Sequence, residues 1–201
     1  MKTYTIARCT TEAPDWSTVT QLAVDQFLWL PPVDIQMSAK LCYDGAALYV
    51  QQTAHEPHIR SEHHGPYSMV CEDSCMELFI CPIENDPRFF NFEFNPDGCS
   101  FIGIETSCND VVRLTSLQEQ ALFQPKVRRF EHGWELEYRV PHSFVQMFFP
   151  EYRPEAGKCL RANCYKSGDR TVQPHYIAWS PIHRPVPDFH QSHDFGLMTF
   201  A

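Results

Sequence analysis

The sequence predicts one all-β domain, an antiparallel β-sandwich with one short helix, on three observations. Helical periodicity is scarce, short apolar or alternating runs recur along the chain, and Pro, Gly, Asn and Asp punctuate them. Two runs declare their faces outright, because successive strand side chains point to opposite sides. In FFNFEFN (89–95), Phe90, Phe92 and Phe94 share one face while Asn91, Glu93 and Asn95 share the other. In WELEYRV (134–140), Trp134, Leu136, Tyr138 and Val140 point one way and Glu135, Glu137 and Arg139 the other. Alternation of this kind suits antiparallel sheets packed face to face rather than parallel α/β sheets.

In chain order, strands are expected at 46–53 (AALYVQQT), 74–80 (SCMELFI), 89–95, 100–105 (SFIGIE), 134–140, 160–166 (LRANCYK) and 196–200 (GLMTF). Tyr43-Asp44-Gly45, Asn95-Pro96-Asp97-Gly98 and Glu131-His132-Gly133 put turn formers where hairpins need tight geometry. The helix is opened by Pro141, carried by 142–149 and stopped by Pro150. The three prolines of 180–195 (SPIHRPVPDFHQSHDF) mark an ordered but irregular loop. No repeat, linker or composition shift divides the chain, so residues 1–201 read as a single domain.

Composition bounds the function. At 43% hydrophobic and 13% aromatic residues, the 201-residue chain has apolar material for a core without disulfide or metal support. A net charge of -9, with Arg128-Arg129 the one obvious basic pair, excludes a nucleic-acid footprint. No apolar run approaches the roughly 20 residues that cross a bilayer, so no membrane partner is expected. Nine cysteines, an odd number, and a start (MKTYTIARCTTEAPDW) without an apolar h-region lead to the expectation of reduced thiols in a cytoplasmic protein.

The ordered series YDGAALYVQ, EDSCMELFI, FFNFEFNPDG, GWELEYRVP, RANCYKSGD, PHYIAWSPI and PDFHQSHDFGLMTF resembles the family 9 carbohydrate-binding modules, from about Trp16 to the C-terminus. The resemblance implies an immunoglobulin-like or jelly-roll sandwich that binds a saccharide without cleaving it, holding the sugar between aromatic side chains and a polar fringe. It implies no cofactor, although some relatives carry structural calcium; a related branch binds haem, so fold does not settle ligand.

Carried over residue by residue, the resemblance puts Glu77 at the acidic position facing sugar hydroxyls and Trp179 at an aromatic platform, where a π face packs on the C–H face of a pyranose. A tryptophan typical of the family six residues ahead of the acidic position is Cys71 here; Tyr67 is the nearby substitute. Asn163, Tyr165 and Lys166 border the implied binding face, with Arg161 sharing the parity of Asn163 and Lys166 facing oppositely. His175 and His190 flank the Pro-rich loop. For each residue a structural role stands beside the binding one: a core indole, a solvated strand residue, a satisfied histidine.

Other chemistry lacks its pattern. Cys71, Cys75 and Cys81 with His63 and His64 are not spaced as a paired CxxC zinc site, and His183, His190 and His193 lack an HExxH helix. Glu77 and Glu93 have polar-face addresses that would allow glycoside hydrolysis if their strands were neighbours, but nothing in the sequence marks one of them as the buried acid. Serine-nucleophile, phosphate-loop and dinucleotide fingerprints are missing. Two rivals to saccharide binding stay open: a haem-binding or redox sandwich, for which ten histidines and six methionines supply ligands, and a ligand-less interaction domain.

Overall fold

The alternating runs become strands whose apolar faces meet. In the computed structural model, which describes residues 1–10, 14–114 and 119–201, the first half forms β1 (Thr3–Arg8), β2 (Leu22–Val24), β3 (Gln26–Phe27), β4 (Gln36–Tyr43), β5 (Ala47–His55), β6 (Cys75–Cys81) and β7 (Phe89–Phe94). The second half forms β8 (Ser100–Ser107), β9 (Asp110–Arg113), α1 (Glu119–Phe123), β10 (Lys126–Phe130), β11 (Gly133–Pro141), α2 (His142–Phe148), β12 (Cys159–Ser167), β13 (Tyr176–Ala178) and β14 (Gly196–Phe200). The expected helix is α2, with Pro141 as its N-cap and Phe149 as its C-cap. The short α1 is a second helix beyond the one that the Pro-bounded pattern announces.

Strands neighbour one another in the order β10-β11-β5-β4-β1-β14-β12-β6-β7-β8-β9. β1 joins the two sheets of the sandwich: residues 3–6 pair with 197–200 of β14, and Ala7 and Arg8 pair with Cys42 and Tyr43 of β4. Both pairings are parallel, because β4 and β14 run in its direction on either side; the other pairings are antiparallel. Two expected turns show why their glycines are needed. Gly98 closes the Asn95 turn at φ +75, a left-handed geometry that costs glycine little, and at Gly133 a Cβ would lie 2.2 Å from the carbonyl oxygen of Ala54.

The interior is built from the faces read above. Phe90, Phe92 and Phe94 of β7 meet Trp134, Leu136, Tyr138 and Val140 of β11, with Met76, Leu78 and Ile80 of β6 and Leu160, Ala162 and Cys164 of β12 alongside. The opposite face of β6 and β7 is covered too. Every residue of both strands is buried, because the segment 180–195 folds across the outside of the sheet. Ile182, Phe189 and Phe195 from that segment pack on Phe79, Phe89 and Tyr165 as a second, smaller core. This outer layer makes a recess where a bare sheet face would otherwise meet solvent.

Candidate ligand-binding site

Beside the outer layer lies a cavity of about 540 Å³. Its floor is the outer face of β6 and β7, where Glu77 and Glu93 stand directly opposite each other in register. Ser167 of β12 donates to Glu77 Oε1 at 2.5 Å, and Asn91 Nδ2 donates to Glu93 Oε1 at 2.7 Å. Tyr176, Phe189, Asp169, Arg184, His190 and Cys71 contribute to the walls. Tyr176 is half-buried, with its ring edge-on to Trp29 at 5.5 Å and to Phe189 at 5.9 Å. Strand parity explains its outward aim: in β13 the interior takes Ile177, so Tyr176 faces the other way.

Burial dominates the electrostatics. Desolvation, reinforced by the charge of Glu93, holds the Glu77 carboxyl well above its ordinary pKa despite the Ser167 bond. Glu93 is pushed up to about 7, again mainly by desolvation. Burial raises the pKa of Asp169, against a hydrogen bond from Tyr176; burial and Asp169 push the Tyr176 phenol up to about 12. For His190 burial pulls downward, but a 2.7 Å contact with Glu105 and the surrounding carboxylates outweigh it, so its pKa is raised. Glu77 and Glu93 rise side by side from one sheet floor, on neighbouring strands.

Of the residues selected from the sequence, Glu77 and His190 line this cavity and the binding residues considered below serve elsewhere. Trp179 is 3% exposed in the main core, so tightly set that a Cβ on Gly196 would lie 2.5 Å from its Cζ3. Its parity matches that of Ile177, and this corrects the platform assignment. Asn163 is wholly buried: its Nδ2 donates to the Ser180 carbonyl at 2.9 Å and its Oδ1 accepts from the Ser180 and Cys164 amides. It clasps the start of the covering segment rather than a ligand. Tyr165 stacks on Phe189 at 4.0 Å and donates to the Phe189 carbonyl, beneath that layer. Arg161 points to the Ser192 carbonyl at 3.1 Å.

Lys166 and His175 belong to the sandwich interior. The Lys166 ammonium donates to the Ser167 carbonyl and to His175 Nε2 at 2.9 Å and lies 3.3 Å from Glu56 Oε1. Glu56 in turn accepts from Trp134 Nε1 and Ser74 Oγ. Tyr67 is 70% exposed, in a left-handed turn (φ 67) under the Arg113 guanidinium, and does not line the cavity. The sequence reading misses Tyr176 and Asp169. For Tyr176 the alternation of β13 is the available signal; Asp169 follows β12 in a loop and carries none.

A second hollow, of about 530 Å³, lies over the other sheet among Gln36, Ser38, Lys40, Gln51, Thr53 and Glu135. Two of its polar groups are engaged by residues outside it: Gln51 donates to Glu137, and Glu135 accepts from Arg128. The Glu77 cavity is the better candidate because its polar floor is buried and only partly satisfied: Asn91 Oδ1 has no hydrogen-bond partner. Among the described residues, the side-chain group that gathers potential metal ligands is Cys75, Glu77 and Glu93. Its thiol does not suit the all-oxygen coordination of calcium.

The family model described as Carbohydrate-binding family 9 matches residues 8–200. A putative carbohydrate-binding protein from Bacteroides uniformis has a similar structure, with TM-score 0.86 and 26% identity over 100% of this chain and 99% of that one. Two structures of a family 9 carbohydrate-binding module from Caldicellulosiruptor kristjanssonii share the fold. One, in complex with cellotriose, has TM-score 0.69 and 14% identity over 99% of this chain and 93% of its own; the other, in complex with glucose, has TM-score 0.70 and 13% identity over 100% and 96%. No curated protein sequence matches the chain significantly.

Proposed function

Because the chain belongs to carbohydrate-binding family 9, we propose that it binds a saccharide reversibly, without cleaving it, in the cavity above Glu77 and Glu93. The observation that carries this reading is the meeting of a half-exposed aromatic, Tyr176, with Glu77 and Asp169 around one recess. The phenol ring offers a face for the C–H side of a pyranose, and the carboxyl groups offer acceptors for its hydroxyls. Related modules in complex with glucose and cellotriose make a gluco-configured ligand the first to test. Tyr176 takes the platform role in place of Trp179. With Cys71 in the lining where a second aromatic would stand, the ring is stacked on one side, and binding should be weak to moderate.

Titration calorimetry with glucose and cellotriose, on wild type and Tyr176→Ala, tests this. Loss of one stacking partner worth ~1.4 kcal/mol corresponds to about a tenfold weaker Kd. Equal affinity in the two proteins would reject the site, and silence across a broad glycan panel would reject saccharide binding in favour of an interaction domain.

A further inference from the structure

Cys75, Glu77 and Glu93 form a cluster that a sugar could not fully reach. Cys75 is 0% exposed, Glu77 2% and Glu93 7%, and Cys75 does not line the cavity at all. Yet one ligand atom from each lies within 4.8 Å of the others. The sheet imposes this: Cys75 and Glu77 are two apart on one face of β6, and Glu93 is the in-register neighbour of Glu77 on β7. We propose that these three side chains bind a borderline-soft divalent cation of the zinc type, with its remaining coordination position open to the cavity.

Three observations support the assignment. Two carboxyl groups stand side by side on a buried floor, and two adjacent carboxylates desolvated together are costly unless protons or a cation offset them. A sulfur ligand beside two carboxylate oxygens selects zinc-like ions over calcium or magnesium. The surroundings also resemble an outer ligand shell: Ser167 fixes Glu77 through Oε1, and Asn91 fixes Glu93 through Oε1, leaving the second oxygen of each carboxylate available. Asn91, itself 0% exposed and lining the cavity, keeps its buried Oδ1 unpartnered, an acceptor for water held on the ion. Binding releases the thiol proton of Cys75 and any carboxyl proton to solvent.

The test needs no sugar, so it stands or falls independently of the saccharide reading. Chelator-treated full-length protein is titrated with Co²⁺ as a spectroscopic probe and with Zn²⁺ in competition. One equivalent should give a thiolate-to-cobalt charge-transfer band in the near ultraviolet, which Zn²⁺ bleaches. Cys75→Ser should abolish the band, and Glu93→Gln, nearly isosteric and checked for fold by circular dichroism, should weaken Zn²⁺ affinity roughly a hundredfold. Cys159→Ser, altering an exposed thiol on another part of the sheet, should leave both unchanged. No charge-transfer band in wild type, or one that persists in Cys75→Ser, overturns the proposal.

Discussion

Replacing Trp179 separates an interior indole from a ligand platform. The side chain is 3% exposed, lies in the main core and packs so closely on Gly196 that no methyl group fits between them. An aromatic side chain buries about 150–250 Å², which at about 25 cal/mol/Å² amounts to ~4–6 kcal/mol. Large-to-small aromatic substitutions in cores cost about 3–5 kcal/mol, in agreement. Unfolding entropy near 2.1 cal/mol/K per residue gives about 0.4 kcal/mol/K for a 201-residue chain. A loss of ~4 kcal/mol in Trp179→Ala therefore lowers Tm by about 10 °C. Trp179→Phe, which keeps a ring in the space, should lose less than half of that and bind saccharide within about twofold of wild type. Calorimetric melts give the first quantity, and isothermal titration well below the lowest Tm gives the second. The reasoning fails if Trp179→Phe melts with wild type but loses saccharide binding.

Lys166→Met should cost about 3–5 kcal/mol in urea unfolding, because Glu56 is left as an uncompensated buried charge; adding Glu56→Gln should restore part of that, and neither change should alter saccharide affinity. His175 makes stability fall with acid. Its ring donates from Nδ1 to the Gln173 carbonyl and accepts from Lys166 at Nε2, and burial with the Lys166 charge takes its pKa down to about 3. A folded pKa below the unfolded one means that the contribution is complete above about pH 6.5 and is lost progressively toward pH 3, at ~1.4 kcal/mol per unit. Burial lowers the pKa of His142 in the same direction, so the comparison is with His175→Gln: between about pH 7 and 5 its urea midpoint should fall less than that of wild type by the equivalent of ~2 kcal/mol. Parallel curves would refute the assignment.

The sandwich was legible because its interior strands alternate. FFNFEFN and WELEYRV place their apolar faces inward as parity requires, and the Pro-bounded helix falls where its prolines put it. The site was harder to read because parity tells which residues share a face and not what covers that face. Asn163, Tyr165 and Arg161 do share the outer face of β12, with Tyr165 directly beside Glu77, yet the segment 180–195 folds over them and takes their hydrogen bonds. Trp179 lies one residue past β13, where continued alternation points it inward. Tyr176 has the outward parity, which in a three-residue strand is the one local mark it carries.

The covering segment also explains why the recess has its chemistry. A sheet face exposed to water would let Glu77 and Glu93 ionise as ordinary solvated carboxylates. Once Phe189, Phe195 and Ile182 form the second core beside them, the pair loses most of its water while keeping an opening past Tyr176. Two adjacent carboxyl groups in that setting must be neutralised by protons, a bound cation or ligand hydrogen bonds, and the free energy of doing so is available to whatever enters. A sugar hydroxyl and a metal ion are thus drawn by one cause, and Cys75, too deep for the first but within bonding reach of the second, separates them.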